Sequence, residues 1–269
     1  MNWIEVEKGV RLFVQDINPR GKRTVFLIHG WPVNHRMFEY QLDVLPKYGF
    51  RCVAVDLRGF GNSSMPWGGY GYDRMAEDIH TVIREMKLNQ IILAGFSMGG
   101  AIAIRYMARY AGYKVEKLAL LAAAAPSFVQ RPGFPYGQLP ETVDSIIELA
   151  YKDRPQMVTE FGEMFFASEV TPSFRTWFQS LGFDASGHGT IQTAVTLREE
   201  DLRQDLGKIR VPTGIFHGKQ DKLCPFALAE AMKQGIPNSV LYPFENSGHA
   251  IFYDELERFN GELIHFMEK

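Results

Sequence analysis

The sequence predicts an α/β protein: a mostly parallel, eight-stranded sheet flanked by helices, with a helical block inserted into it. Three observations carry that reading. Short apolar, β-branched runs recur along the chain, and runs that are apolar throughout mark strands buried on both faces. Segments with helical spacing fall between them, and this alternation argues for parallel pairing with helices on both sides of the sheet. One stretch, 126–207, breaks the alternation and holds no strand pattern.

Taken in order, Ile4–Glu7 and Val10–Asp16 read as strands joined by a turn at Lys8-Gly9. Thr24–His29, Arg51–Asp56, Gln90–Ala94 and Leu118–Ala122 are the next four, and Val211–His217 and Ser239–Phe244 complete the eight. Tyr72, Met75, Ala76, Ile79, Val82, Ile83 and Met86 recur at helical spacing, with charges on the other faces. Ala101–Tyr110 is apolar nearly all round and reads as a buried helix. Leu256–Met267 is an amphipathic C-terminal helix. The 126–207 stretch opens with a Pro- and Gly-rich loop and continues with helical patterns at Glu141–Tyr151 and Pro155–Ala167, then two or three more. A loop that long without structure would be unusual. The expected organisation is therefore a core of 1–125 and 208–269 with a helical cap at 126–207.

Composition narrows the function. The chain has 269 residues, 46% of them apolar and 13% aromatic. Its 29 basic and 31 acidic residues leave a net charge of −2, so it lacks the basic footprint of a nucleic-acid binder. The two cysteines, Cys52 and Cys224, do not read as a disulfide framework, and no Cys/His set has zinc spacing. No glycine fingerprint for a dinucleotide is present. Met1–Gly9 has no apolar signal core, and the longest apolar run, Leu118–Ala125, is far too short to span a bilayer. A cytoplasmic protein without a membrane partner is expected, and self-association into a homo-oligomer is compatible with the sequence.

The chemistry concentrates at Gly95-Phe96-Ser97-Met98-Gly99. A strand runs into this pentapeptide and a small-residue helix leaves it, which is the context a G-x-S-x-G nucleophile elbow requires. The serine then sits in a sharp, strained turn, and side chains at Gly95 or Gly99 would collide with the neighbouring helix and strand. A hydroxyl is a poor nucleophile at neutral pH, so it needs a base, and the base needs an orienting carboxylate. For an elbow serine the chain order is serine, acid, histidine. Of the histidines beyond Ser97, His249 lies in a loop just after the last strand, where a base can reach over the strand ends. His188, His217 and His265 read as packing or surface residues. Asp221 follows the Val211–His217 strand at a carboxyl end of the sheet, whereas only alanines follow Leu118–Ala122. Ser97, Asp221 and His249 are the expected catalytic residues. The oxyanion donors expected are the backbone N–H groups of Met98 and of Trp31 in His29-Gly30-Trp31-Pro32.

Together, His29-Gly30-Trp31-Pro32, Asp56-Leu57-Arg58-Gly59-Phe60-Gly61, Gly95–Gly100, Gly218-Lys219-Gln220-Asp221 and Gly248-His249 resemble the α/β-hydrolase superfamily. Within it, the chain is similar to small carboxylesterases near the bacterial aryl esterases and cofactor-free haloperoxidases (perhydrolases). The resemblance covers essentially the whole chain and is weakest in the cap. It implies an α/β-hydrolase fold and hydrolysis of small esters by Ser97, Asp221 and His249, with no metal or organic cofactor. The aromatic-proline pair in the oxyanion loop resembles the members that also make peracids. Lactone and C–C bond hydrolysis share the triad, whereas dehalogenases and epoxide hydrolases would want Asp in place of Ser97. Beside Trp31, the expected pocket residues are Phe128, Phe165, Leu223 and Phe252. Phe161, Phe166, Trp177 and Phe178 read equally well as cap core.

Overall fold

The computed structural model describes residues 2–269 and contains the expected eight strands. In chain order these are β1 (Asn2–Glu7), β2 (Val10–Ile17), β3 (Arg23–Ile28), β4 (Phe50–Val55), β5 (Ile91–Phe96), β6 (Val115–Leu121), β7 (Thr213–Gly218) and β8 (Ser239–Phe244). They form one sheet in the order β1-β2-β4-β3-β5-β6-β7-β8. The β1–β2 and β2–β4 pairs are antiparallel and every other pair is parallel. β5 is buried along its full length, as an all-apolar strand in a sheet covered on both faces should be.

Among the described residues, nine α-helices surround or extend the sheet: α1 (Glu39–Val44), α2 (Tyr72–Glu85), α3 (Met98–Arg109), α4 (Pro140–Glu163), α5 (Pro172–Phe183), α6 (Gly187–Glu199), α7 (Ala227–Gly235), α8 (Ile251–Asp254) and α9 (Leu256–Glu268). α3 starts three residues before the expected Ala101, because the turn at Ser97 leads straight into helix. β7 starts at Thr213, not Val211; Pro212 has no N–H for the ladder, and its carbonyl instead accepts from Leu118 at 3.0 Å. Helices α4–α6 fall between β6 and β7, in the stretch that lacked strand pattern. α4 joins the two expected helical patterns but bends at Asp153, whose φ and ψ are −152° and 82°. Asp153 Oδ1 accepts from the Gln156 amide at 3.0 Å, capping the second half, and Pro155 suits the first turn after such a break. That second half ends at Glu163, before the expected Ala167. Among the described residues, no helix is long and apolar enough to cross a membrane.

The parallel strands point their carboxyl ends the same way. The sequence segments that carry the chemistry follow the carboxyl ends of β3, β5, β7 and β8, so the fold alone brings them toward one rim.

Candidate active site

Ser97 leaves β5 with φ 52° and ψ −118°, a left-handed conformation that costs a non-glycine residue roughly 1–3 kcal/mol. Its surroundings hold it there. The Ser97 amide donates to Leu121 at 2.9 Å, and its carbonyl accepts from Gly100 at 2.9 Å and Ala124 at 3.0 Å. A Cβ on Gly95 would stand 2.3 Å from the Gly99 carbonyl oxygen, and one on Gly99 would stand 2.3 Å from that of Ile28. Both glycines are therefore required by close backbone approach, as the sequence suggested.

The loop after β7 holds Asp221, and the loop after β8 brings His249 to it. His249 Nδ1 and Asp221 Oδ2 are 2.7 Å apart; because the carboxylate can only accept, Nδ1 is the donor. Asp221 Oδ1 accepts from the amides of Leu223 and Cys224 at 2.9 and 2.8 Å. Both side chains are buried, and the His249 ring lies 4.7 Å from Phe96 and 5.0 Å from Phe165. Phe96 immediately precedes Ser97, so the imidazole is held over the elbow. The Ser97 hydroxyl makes no hydrogen bond to His249 and instead meets the Cys224 thiol. Serine–histidine contacts are often loose before substrate binds.

Two neighbours were not anticipated. His217 Nε2–H donates to the Cys224 carbonyl at 2.7 Å and lies 3.5 Å from Asp221 Oδ2, closing the loop that presents the carboxylate. Burial lowers its pKa, which keeps it neutral, while its Nδ1 has no partner. Cys224 is fully buried beside Ser97. Burial and then the Asp221 charge push its thiol well above the usual value, with the Ser97 hydroxyl partly offsetting them. The available signal was spacing: Cys224 stands three residues after Asp221 on one loop.

The Trp31 loop is built on His29. Nδ1 of His29 donates to the Gly30 carbonyl at 2.7 Å, and Nε2 accepts from the Leu57 amide at 3.0 Å. Burial lowers this histidine's pKa to about 4, which preserves that neutral tautomer. The Trp31 and Met98 amides make no backbone hydrogen bond among the described residues, and Met98 heads α3, where N–H groups lack intrahelical acceptors. Asp56 explains the Asp56–Gly61 segment. Its carboxylate accepts from the His35 amide at 2.8 Å, His35 Nδ1 at 2.7 Å and the Asn62 amide at 2.9 Å. Burial would raise its pKa, but the hydrogen bonds and charge from His35 carry it below the usual value.

Of the expected pocket residues, Phe165 packs on His249 and Phe252 packs on Phe96 at 5.2 Å. Leu223 is buried and donates its amide to Asp221. Phe128 is buried in the loop after β6, whose Gln138 side chain donates to the Leu223 carbonyl at 2.9 Å. Trp31 stacks edge-on against Phe161 at 4.6 Å, and Trp177 packs on Phe174 and Phe178. Between Pro32, Phe161, Phe165 and Phe178 there is a cavity of about 10 Å³, room for little more than a water, and Ser97, Asp221 and His249 do not line it. Surface hollows of about 460 and 590 Å³ contain none of Ser97, Asp221 or His249.

Residues 23–256 match the family model described as the alpha/beta hydrolase fold. The chain is an α/β-hydrolase. It is 52% identical over 265 residues to the AB hydrolase superfamily protein YisY of Bacillus subtilis, covering 98% of each chain. Among solved structures, an esterase from Exiguobacterium antarcticum is 47% identical, with a TM-score of 0.97 over 100% of this chain and 99% of that one. A bromoperoxidase from Bacillus anthracis is 31% identical, with a TM-score of 0.95 and the same coverage. This α/β-hydrolase thus stands close to esterases and to non-heme haloperoxidases.

Proposed function

We propose that the protein is a serine carboxylesterase that hydrolyses small, short-acyl or aryl esters through an acyl-enzyme. The observation that carries this reading is the 2.7 Å Asp221–His249 hydrogen bond, held over the elbow that strains Ser97. In this mechanism Ser97 attacks the ester carbonyl while His249 Nε2 accepts its proton. Asp221 holds the imidazole and stabilises the imidazolium. The amides of Trp31 and Met98 receive the oxyanion. His249 then protonates the leaving alcohol, and water releases the acid by the reverse route. Residues 126–207 serve as a cap whose aromatic residues line the acyl side. The enclosed, apolar surroundings favour neutral substrates.

The likeness to a bromoperoxidase favours one second reading, perhydrolysis, in which peroxide instead of water attacks the same acyl-enzyme. Ser97→Ala should abolish p-nitrophenyl acetate hydrolysis while leaving the melting transition in place. Parent-like activity in that variant would sink the mechanism. Comparing peracid formation with acid release from one acyl donor separates the two nucleophiles.

A further inference from the structure

Among the described residues, three metal-ligating atoms converge at one place: one each from Asp221, Cys224 and His249 lie within 4.8 Å of one another, and all three residues are buried. From this geometry we infer that the site takes a soft divalent cation, Zn²⁺ or Cd²⁺, and that occupancy shuts the enzyme off. The inference rests on the esterase reading for its effect on activity, but not for the binding itself.

The donor set has the right chemistry. Thiolate and imidazole prefer zinc-like cations to Mg²⁺ or Ca²⁺. A tetrahedral cation with bonds of 2.0–2.3 Å sets its donors about 3.5 Å apart. Atoms within 4.8 Å of one another need to close by about 1.3 Å at most, a pair as near as His249 Nδ1 and Asp221 Oδ2 at 2.7 Å has to open by a little under 1 Å, and the fourth position falls to water or the Ser97 hydroxyl. Charge balances as well. As the S–M bond forms, the thiol proton leaves to solvent, so the thiolate and the Asp221 carboxylate together neutralise the cation. A buried cation without such compensation would be costly.

Binding is incompatible with catalysis at either nitrogen of His249. At Nε2 the cation occupies the lone pair that would accept the Ser97 proton. At Nδ1 it displaces the proton shared with Asp221 at 2.7 Å onto Nε2, which then has no lone pair for the Ser97 proton. Cys224 thus places a cation trap inside a site whose chemistry needs no cation.

The test is a Cd²⁺ titration of the full chain. It reads the ultraviolet thiolate-to-cadmium absorption and, in parallel, p-nitrophenyl acetate hydrolysis. One equivalent of Cd²⁺ should develop the absorption in the parent and in Ser97→Ala. Inhibition of the parent should be reversed by EDTA and not be reproduced by Mg²⁺. Cys224→Ala should lose the absorption although Cys52 remains. Relative to its own metal-free rate, it should need at least tenfold more Cd²⁺ for half-inhibition. Cys224→Ser gives the same readouts if the alanine variant folds poorly. Absorption that persists without Cys224, or equal Cd²⁺ sensitivity in parent and variant, overturns the inference. Absorption in the parent alongside an active Ser97→Ala would instead overturn the esterase mechanism and leave the cation site standing.

Discussion

The indole Nε1–H of Trp31 donates to the Thr190 carbonyl at 2.9 Å. Trp31 belongs to the loop after β3, and Thr190 belongs to α6, which the chain inserts between β6 and β7. The inserted helices therefore grip the residue whose amide is the proposed oxyanion donor. Trp31→Phe keeps the backbone amide and most of the ring but leaves the buried Thr190 carbonyl without this donor. We expect kcat for p-nitrophenyl acetate to fall about tenfold, the equivalent of one hydrogen bond of about 1.4 kcal/mol. An unchanged kcat would mean that the grip does not position the amide.

Asp221→Asn tests the orientation of His249. An amide nitrogen facing Nδ1 would force the proton onto Nε2, the nitrogen that must be free. Loss of about 10³- to 10⁴-fold in kcat is expected, with KM little changed. A loss below tenfold would argue that Asp221 is only a loop anchor for the Leu223 and Cys224 amides.

Activity should rise with pH through a single ionisation and then level off, because a protonated imidazole cannot accept the serine proton. His29 and His217, both kept neutral by burial, add no second ionisation on that limb. A kcat/KM profile that is flat from mildly acidic to alkaline pH would exclude His249 as the base.

Stability should follow pH in the same direction for a different reason. His29 titrates at about 4 in the folded protein and at 6.5 unfolded. Above pH 6.5 both states are neutral and folding pays nothing. Between 6.5 and 4 only the unfolded chain binds the proton, so stability falls as pH drops, by up to about 3 kcal/mol from this group. His217 acts with the same sign. Urea midpoints measured from pH 7.5 to 4.5 should fall accordingly, and His29→Gln should flatten part of the slope. A slope unchanged by that substitution would remove His29 from the explanation.

Phe165→Leu should widen the acyl side. The ring is fully buried between His249, Phe96, Phe161 and Phe178. Replacing it should cost about 1–2 kcal/mol in stability. The kcat/KM ratio of p-nitrophenyl hexanoate to acetate should rise at least about fivefold. No change in that ratio would place the acyl chain elsewhere.

Much of the site was legible from order along the chain. Glycines around Ser97, an acid after β7 and a histidine after β8 are local signals, because each depends on where a strand ends. The elbow glycines in particular follow from backbone contacts that any G-x-S-x-G turn must make. The bend in α4 was legible in part, since Pro155 marks it, although the capping role of Asp153 was not.

By itself, then, the sequence determined the strand alternation, the inserted helices and which residue types could form a triad, since these rest on periodicity and local turn chemistry. Only the tertiary structure decided what surrounds them. His217 and Cys224 meet Asp221 through a loop closed by one side-chain hydrogen bond, and Trp31 meets Thr190 across a long separation in sequence. Phe165, from the inserted stretch, meets His249 for the same reason. Packing between distant segments leaves no periodic trace, so the enclosure of the site, and the thiol within it, could be seen only once the chain was folded.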